Sequence, residues 1–305
     1  MNIMFMGTPD FASVSLKKLI NSNFNVTCVV CQPDKPVGRK QVMTPPDVKI
    51  TAQELGISNI YQPQTLKDGC FFEILEKEQP DLIVVVAYGK ILPKYVLDFP
   101  KYGCINLHGS ILPKYRGSAP IQWSVINGDS EAGVTTMYMS EGLDCGDIID
   151  IRKTPVGENE TAGELFDRLA EIGSMLLCET IVKIENGTAS RTPQNDLEAT
   201  LAPMLSKETG KISFDKTAKE IHNLIRGLNP WPLAYVETSK GMLKIYESEI
   251  IDKNTENPAG TLLDFPDSIC VQTADKIISF KTVQLQGKKA MSACDLLRGN
   301  KFELI

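Results

Sequence analysis

Apolar positions in the first half of the chain fall into short continuous runs separated by helix-like stretches. Residues 2–6, 26–31, 82–86 and 102–107 read as strands without alternation, and residues 11–20, 48–55 and 71–78 repeat their apolar positions at helical spacing. Strands that are apolar at every position belong in a parallel sheet covered on both faces, so this order predicts βαβ units. Residues 148–152 add a further strand. A long helix follows over 162–185, with Thr161 and Glu164 spaced as a capping box. From 186 to 210 the periodicity fades into Gly, Thr, Ser, Pro and Asn. One helix is then predicted over 217–228, and short strands over 234–238, 243–250, 259–263, 268–273 and 277–285, separated by Gly, Asp and Lys. That second pattern predicts a small β-barrel.

The fold class expected is therefore α/β. A Rossmann-like parallel-sheet domain over residues 1–188 is followed by a linker over 189–206 and a barrel of the oligonucleotide-binding type over 207–305. The turn after the first strand, Gly7-Thr8-Pro9-Asp10, lacks the G-x-G-x-x-G spacing, which weakens any case for a dinucleotide.

Composition changes this picture little. A chain of 305 residues with 42% hydrophobic and 23% charged residues suits two domains with cores. No apolar run approaches the ~20 residues of a membrane span. The first residues carry no basic segment ahead of their apolar run and read as a strand rather than a signal peptide, so a cytoplasmic protein is expected. The eight cysteines include a Cys28–Cys31 pair inside a strand-like run with no second pair at zinc spacing; reduced buried thiols and no metal are expected. The net charge of −6 argues against nucleic acid, but the acidic excess lies in the first two-thirds and the part from Pro203 onward is near neutral. A local basic cluster could still bind RNA.

The chemistry concentrates after the strand at 102–107. Asn106 and His108, one of only two histidines, open the string Asn106-Leu107-His108-Gly109-Ser110-Ile111-Leu112-Pro113. The acidic turn Leu143-Asp144-Cys145-Gly146-Asp147 supplies a carboxylate further on. An amide donor, an imidazole and a carboxylate can manage addition and elimination at a carbonyl. No serine or cysteine stands in a nucleophile setting, so the attacking group is expected to come from a substrate.

These motifs, with Tyr115-Arg116-Gly117, resemble the signature of the folate-dependent formyltransferases. The resemblance implies 10-formyltetrahydrofolate as formyl donor and Asn106, His108 and Asp144 as the catalytic group. It places Ser110, Ile111, Leu112 and Pro113 in a turn beside the folate. Tyr88, Gly89, Ile91 and Leu92, with the stretch 139–144, would line the pterin pocket. Cys145 stands where the family usually has threonine.

The loop Gln32-Pro33-Asp34-Lys35-Pro36-Val37-Gly38-Arg39-Lys40 alone reads as a mobile surface loop. The C-terminal motifs Ala202-Pro203-Met204-Leu205-Ser206-Lys207 and Ile225-Arg226-Gly227-Leu228-Asn229-Pro230-Trp231-Pro232 resemble the branch of the family acting on methionyl-tRNA. In that branch the matching loop has an arginine at the position of Arg39 and reaches the acceptor stem of the initiator tRNA; Lys40, where the family more often has glycine, would join it there, since phosphates suit basic side chains. His222, on a helix beside those motifs, reads as structural. A monomer is expected. Competing acceptors are glycinamide ribonucleotide, an amino-sugar nucleotide or water; a non-catalytic RNA-binding protein is the reading from another class. The residues beyond the linker argue against the small-ribonucleotide enzyme.

Overall fold

The computed structural model describes the whole chain apart from Arg39, Asp68, Pro266 and residues 299–302. Its contacts form two units. The first comprises Met1–Gly117, Ala132–Thr154 and Phe166–Leu201, and the second Ser118–Glu131, Pro155–Leu165 and Ala202–Ile305. This division is discontinuous, which consecutive domains at 1–188 and 207–305 cannot express. Its physical origin is visible in the second core, where Ala119, Trp123 and Ile126 from the first half pack with Ile221, Ile225 and Leu228.

The first unit is built on a seven-stranded sheet. Its strands are β1 (Ile3–Gly7), β2 (Val26–Val30), β3 (Ile60–Tyr61), β4 (Leu82–Val86), β5 (Cys104–His108), β6 (Glu131–Tyr138) and β7 (Ile148–Pro155). They lie in the order β7-β6-β5-β4-β1-β2-β3. The β1/β2, β1/β4, β2/β3 and β4/β5 pairs are parallel and β5/β6 is antiparallel. Burial at every position of β1, β4 and β5 explains their unbroken apolar character. On one face Met4, Met6, Cys28, Val30, Ile83 and Val85 pack under Phe71 and Leu75. On the other, Leu107 meets helix Ala162–Glu185 at Gly173, where a Cβ would come within 2.9 Å of Leu107 Cδ2. Strand order reverses between β1 and β4. Gly7 sits at that point because a Cβ there would be 2.6 Å from the Ala12 Cβ and 3.0 Å from the Val86 carbonyl oxygen. Ligands of open α/β sheets bind at the carboxyl ends of strands beside such a reversal.

In the second unit, helix Ala218–Gly227 starts with a complete capping box between Thr217 and Glu220. It packs on strands β8 (Ala234–Thr238), β9 (Gly241–Ile251), β10 (Leu262–Leu263), β11 (Ile269–Gln272), β12 (Ile277–Leu285) and β13 (Met291–Ser292). These run β8-β9-β12-β11-β10, with β13 on β12, as an antiparallel sheet curled into a half-barrel. Arg226 is buried and donates to the carbonyls of Gly157 and Glu160 and to Asn223 Oδ1. His222 is buried between Ser248 Oγ and the Glu158 carbonyl. Burial, and then the nearby Arg226 and Lys219, push its pKa down.

The helix approaches residue 126 closely. A Cβ on Gly227 would stand 2.5 Å from Ile126 Cγ1 and 2.9 Å from its backbone nitrogen. Gly227→Ala is therefore expected to destabilise the second unit by about 1–3 kcal/mol, the usual cost of overpacking. Urea unfolding checks this, and an unchanged midpoint would mean that the two segments separate at little cost.

Candidate active site

Alternation along β5 places Asn106 and His108 on one face and Leu107 on the other, where it packs against helix Ala162–Glu185. The Asn106 and His108 side chains therefore face away from that helix. Both are nearly enclosed, Asn106 at 9% and His108 at 6% exposure. The Asn106 amide makes no hydrogen bond to any described residue. Its donors remain available to a ligand.

His108 is oriented by backbone. Its Nε2 lies 2.9 Å from the carbonyl of Tyr115, which can only accept, so Nε2 carries the hydrogen and Nδ1 turns to the other side. There it meets Asp144 Oδ2 at 3.8 Å, beyond hydrogen-bond reach. The same Oδ2 accepts from the backbone N–H of Gly117 at 2.9 Å. Asp144 thus does not itself hold the imidazole.

The turn between these residues is fixed from within. Ser110 Oγ donates to the Lys114 carbonyl, and Thr135 Oγ1 donates to the Ser110 carbonyl while accepting from the Leu112 N–H. Thr135 can do this because it stands opposite His108 in the β5/β6 ladder. Ser110 and Leu112 are buried, and Ile111 packs against Gly133, where a Cβ would be 2.8 Å from its Cγ1. What this turn offers a ligand, Pro113 included, is largely backbone.

The loop after β4 divides its residues. Tyr88 and Leu92 are buried in the core under the sheet, and the Tyr88 carbonyl accepts from Thr8 Oγ1 and Gln32 Nε2. Gly89, at φ +80°, and Ile91, 81% exposed, stay at the surface. Tyr88 and Leu92 support this loop from below, and Gly89 and Ile91 form its exposed side. Cys145 turns into its own loop, its Sγ 3.3 Å from Ser140 Oγ. Burial pushes the thiols of Cys28 and Cys31 up to about 12 and about 11, which keeps them protonated and inert.

Lys40 is exposed at the tip of a hairpin formed by Lys35–Val37 and Val42–Thr44, and Arg39 lies outside the described residues. The base of this hairpin is anchored where Lys49 and Gln62 donate to Asp34. Those hydrogen bonds hold the Asp34 carboxyl below its usual range.

Residues 189–201, expected as a linker, run instead along the first unit. Thr192 pairs with Ile148, Thr200 Oγ1 accepts from the Tyr115 N–H, and the Thr200 carbonyl accepts from the Arg116 N–H. Gln194 and Thr200 carried no sequence signal, and Arg116 was legible only as part of a motif. Among the described residues no three His, Cys, Asp or Glu side chains are placed to hold a metal, and no helix is long and apolar enough to cross a membrane.

The chain matches the family described as Formyl transferase over residues 1–181, and its C-terminal domain over residues 204–301. It is 46% identical over 304 residues to a methionyl-tRNA formyltransferase of Clostridioides difficile, covering 99% of this chain and 98% of that one. A methionyl-tRNA formyltransferase of Desulforamulus reducens is 48% identical over 304 residues, covering 99% and 96%. Among solved structures, an N-formyltransferase from Helicobacter canadensis, in complex with folinic acid and dTDP-3-aminofucose, has a TM-score of 0.69 at 23% identity. The match covers 91% of this chain and 98% of that one and shows a shared fold.

Proposed function

We propose that this chain, which belongs to the formyl transferase family, moves the formyl group of 10-formyltetrahydrofolate to the amino group of initiator methionyl-tRNA. The observation that carries the acceptor is full-length similarity, through the C-terminal unit, to relatives that bear that activity in their names. The products are formylmethionyl-tRNA and tetrahydrofolate.

The site geometry supports a mechanism in which the amine attacks the formyl carbon and the carbon–N10 bond then breaks. Asn106 donates an amide N–H to the oxygen that gains charge. His108, with Nε2–H spent on Tyr115, presents Nδ1 as the base that takes the amine's proton and returns it to the departing folate nitrogen. Asp144, 3.8 Å away, offsets the imidazolium charge formed in between. The folate would rest on the backbone of 110–113 with Gly89 and Ile91 against its ring. The hairpin with Lys40 at its tip, Arg39 of the same sequence segment, and the C-terminal unit would take the tRNA, with affinity that falls as salt rises.

The test offers labelled 10-formyltetrahydrofolate with methionyl-tRNA, uncharged tRNA and an amino-sugar nucleotide. Label is expected only on the charged tRNA. Label on the sugar would keep the chemistry and overturn the acceptor.

A further inference from the structure

One side chain joins the two segments that complete the site around His108. Gln194 Nε2 donates to the carbonyls of Asp144 at 2.9 Å and Gly146 at 2.8 Å, two acceptors on either side of Cys145 in the acidic loop. Its Oε1 accepts from Arg116 Nε at 3.0 Å and Nη2 at 2.8 Å. Arg116, buried to 9% exposure, also reaches Asp196 Oδ1 at 2.8 Å. Arg116 lies between Tyr115, whose carbonyl orients His108, and Gly117, whose N–H holds Asp144 Oδ2.

The hydrogen bonds therefore close a ring beside His108. It runs from Gln194 to Arg116, along the chain to the Gly117 N–H, on to the Asp144 carboxylate and from the Asp144 carbonyl back to Gln194, and the Tyr115 carbonyl joins His108 to it. Asp144 needs such support. Its φ of 48° is a left-handed conformation that costs a non-glycine residue free energy unless its surroundings impose it. A carboxylate 3.8 Å from its partner also has no direct hydrogen bond to fix the gap.

We propose that Gln194 is a positioning residue for Asp144, setting the distance between its carboxylate and His108 by holding the backbone of the acidic loop against the Arg116 turn. The amide is the side chain this position requires, because it must donate to carbonyls on one side and accept from a guanidinium on the other. A carboxylate would keep Arg116 and repel the loop. An apolar residue of equal length would hold neither. The inference rests on Asp144 being the working carboxylate of the proposed reaction.

The experiment is a double-mutant cycle on formyl transfer, with kcat and KM measured for Gln194→Glu, Gln194→Met, Asp144→Asn and each double variant. A misplacement near 1 Å costs on the order of 10²-fold in rate. Gln194→Glu is expected to lower kcat by about 10–100-fold and to leave both KM values within about twofold. In the Asp144→Asn background the same change is expected to cost less than about twofold, because coupled residues do not add. A kcat within about twofold of the parent for Gln194→Glu, or the full effect persisting without the Asp144 carboxylate, would overturn the proposal. If Gln194→Glu does not fold, the cycle through Gln194→Met reads the same coupling. Parental kcat in Asp144→Asn itself would overturn the reading of the carboxylate, an outcome distinct from a failure confined to Gln194.

Discussion

His108→Ala is expected to lower kcat for formyl transfer by about 10²–10⁴-fold, the range that a positioned general acid or base supplies. No other imidazole is available to take over, since the second histidine, His222, is buried in the other unit between Ser248 and Glu158. Asp144 is already engaged, its Oδ2 accepting from the Gly117 N–H at 2.9 Å. The variant also removes the hydrogen bond from His108 Nε2 to the Tyr115 carbonyl, a net loss of about 0.5–1.5 kcal/mol. Turnover is therefore compared at a temperature where circular dichroism shows the variant folded. Parental kcat in that folded protein would remove His108 from the chemistry. Partial recovery with added imidazole would place the lost function in the ring itself.

Asn106→Ala is expected to cost about 10²–10³-fold in kcat, as loss of one oxyanion donor does. Its stability should hardly change, because the amide has no hydrogen-bond partner among the described residues to lose. Such a combination separates a group kept for the reaction from one kept for the fold. Asn106→Asp sharpens the test, since it preserves size while replacing the donor by a negative charge beside a developing negative charge. It should be slower than Asn106→Ala. Equal rates for Asn106→Asp and the parent would exclude donation from this position.

Both predictions concern residues that stand out in the sequence for local reasons. A strand puts positions i and i+2 on one face, so Asn106 and His108 are neighbours by virtue of spacing alone. The Gly-Ser-Ile-Leu-Pro segment after them marks a turn. The continuous apolar runs of β1, β4 and β5 likewise specify a sheet covered on both faces. Resemblance of motifs then brought Asp144 to the same place, which spacing could not have done. The folate-pocket expectation was legible only as a segment: which of Tyr88, Gly89, Ile91 and Leu92 face outward depends on how the loop after β4 turns. The exposure of Ile91 beside the burial of Leu92 has no counterpart in residue type.

Short-range periodicity and rare residue types marked out the α/β half except strands β3 and β6, the short C-terminal strands, the Asn106–His108 pair and the acidic turn. Tertiary structure alone decided that residues 118–131 and 155–165 leave the first unit for the second. It alone decided that the Tyr115 carbonyl, rather than Asp144, orients His108, and that Gln194 hydrogen-bonds the acidic loop. Each of these rests on a side chain meeting a backbone carbonyl or a packed surface outside its own strand, turn or helix. Every residue carries a carbonyl, so such contacts leave no mark in composition or spacing, and only the folded chain selects which acceptor is met.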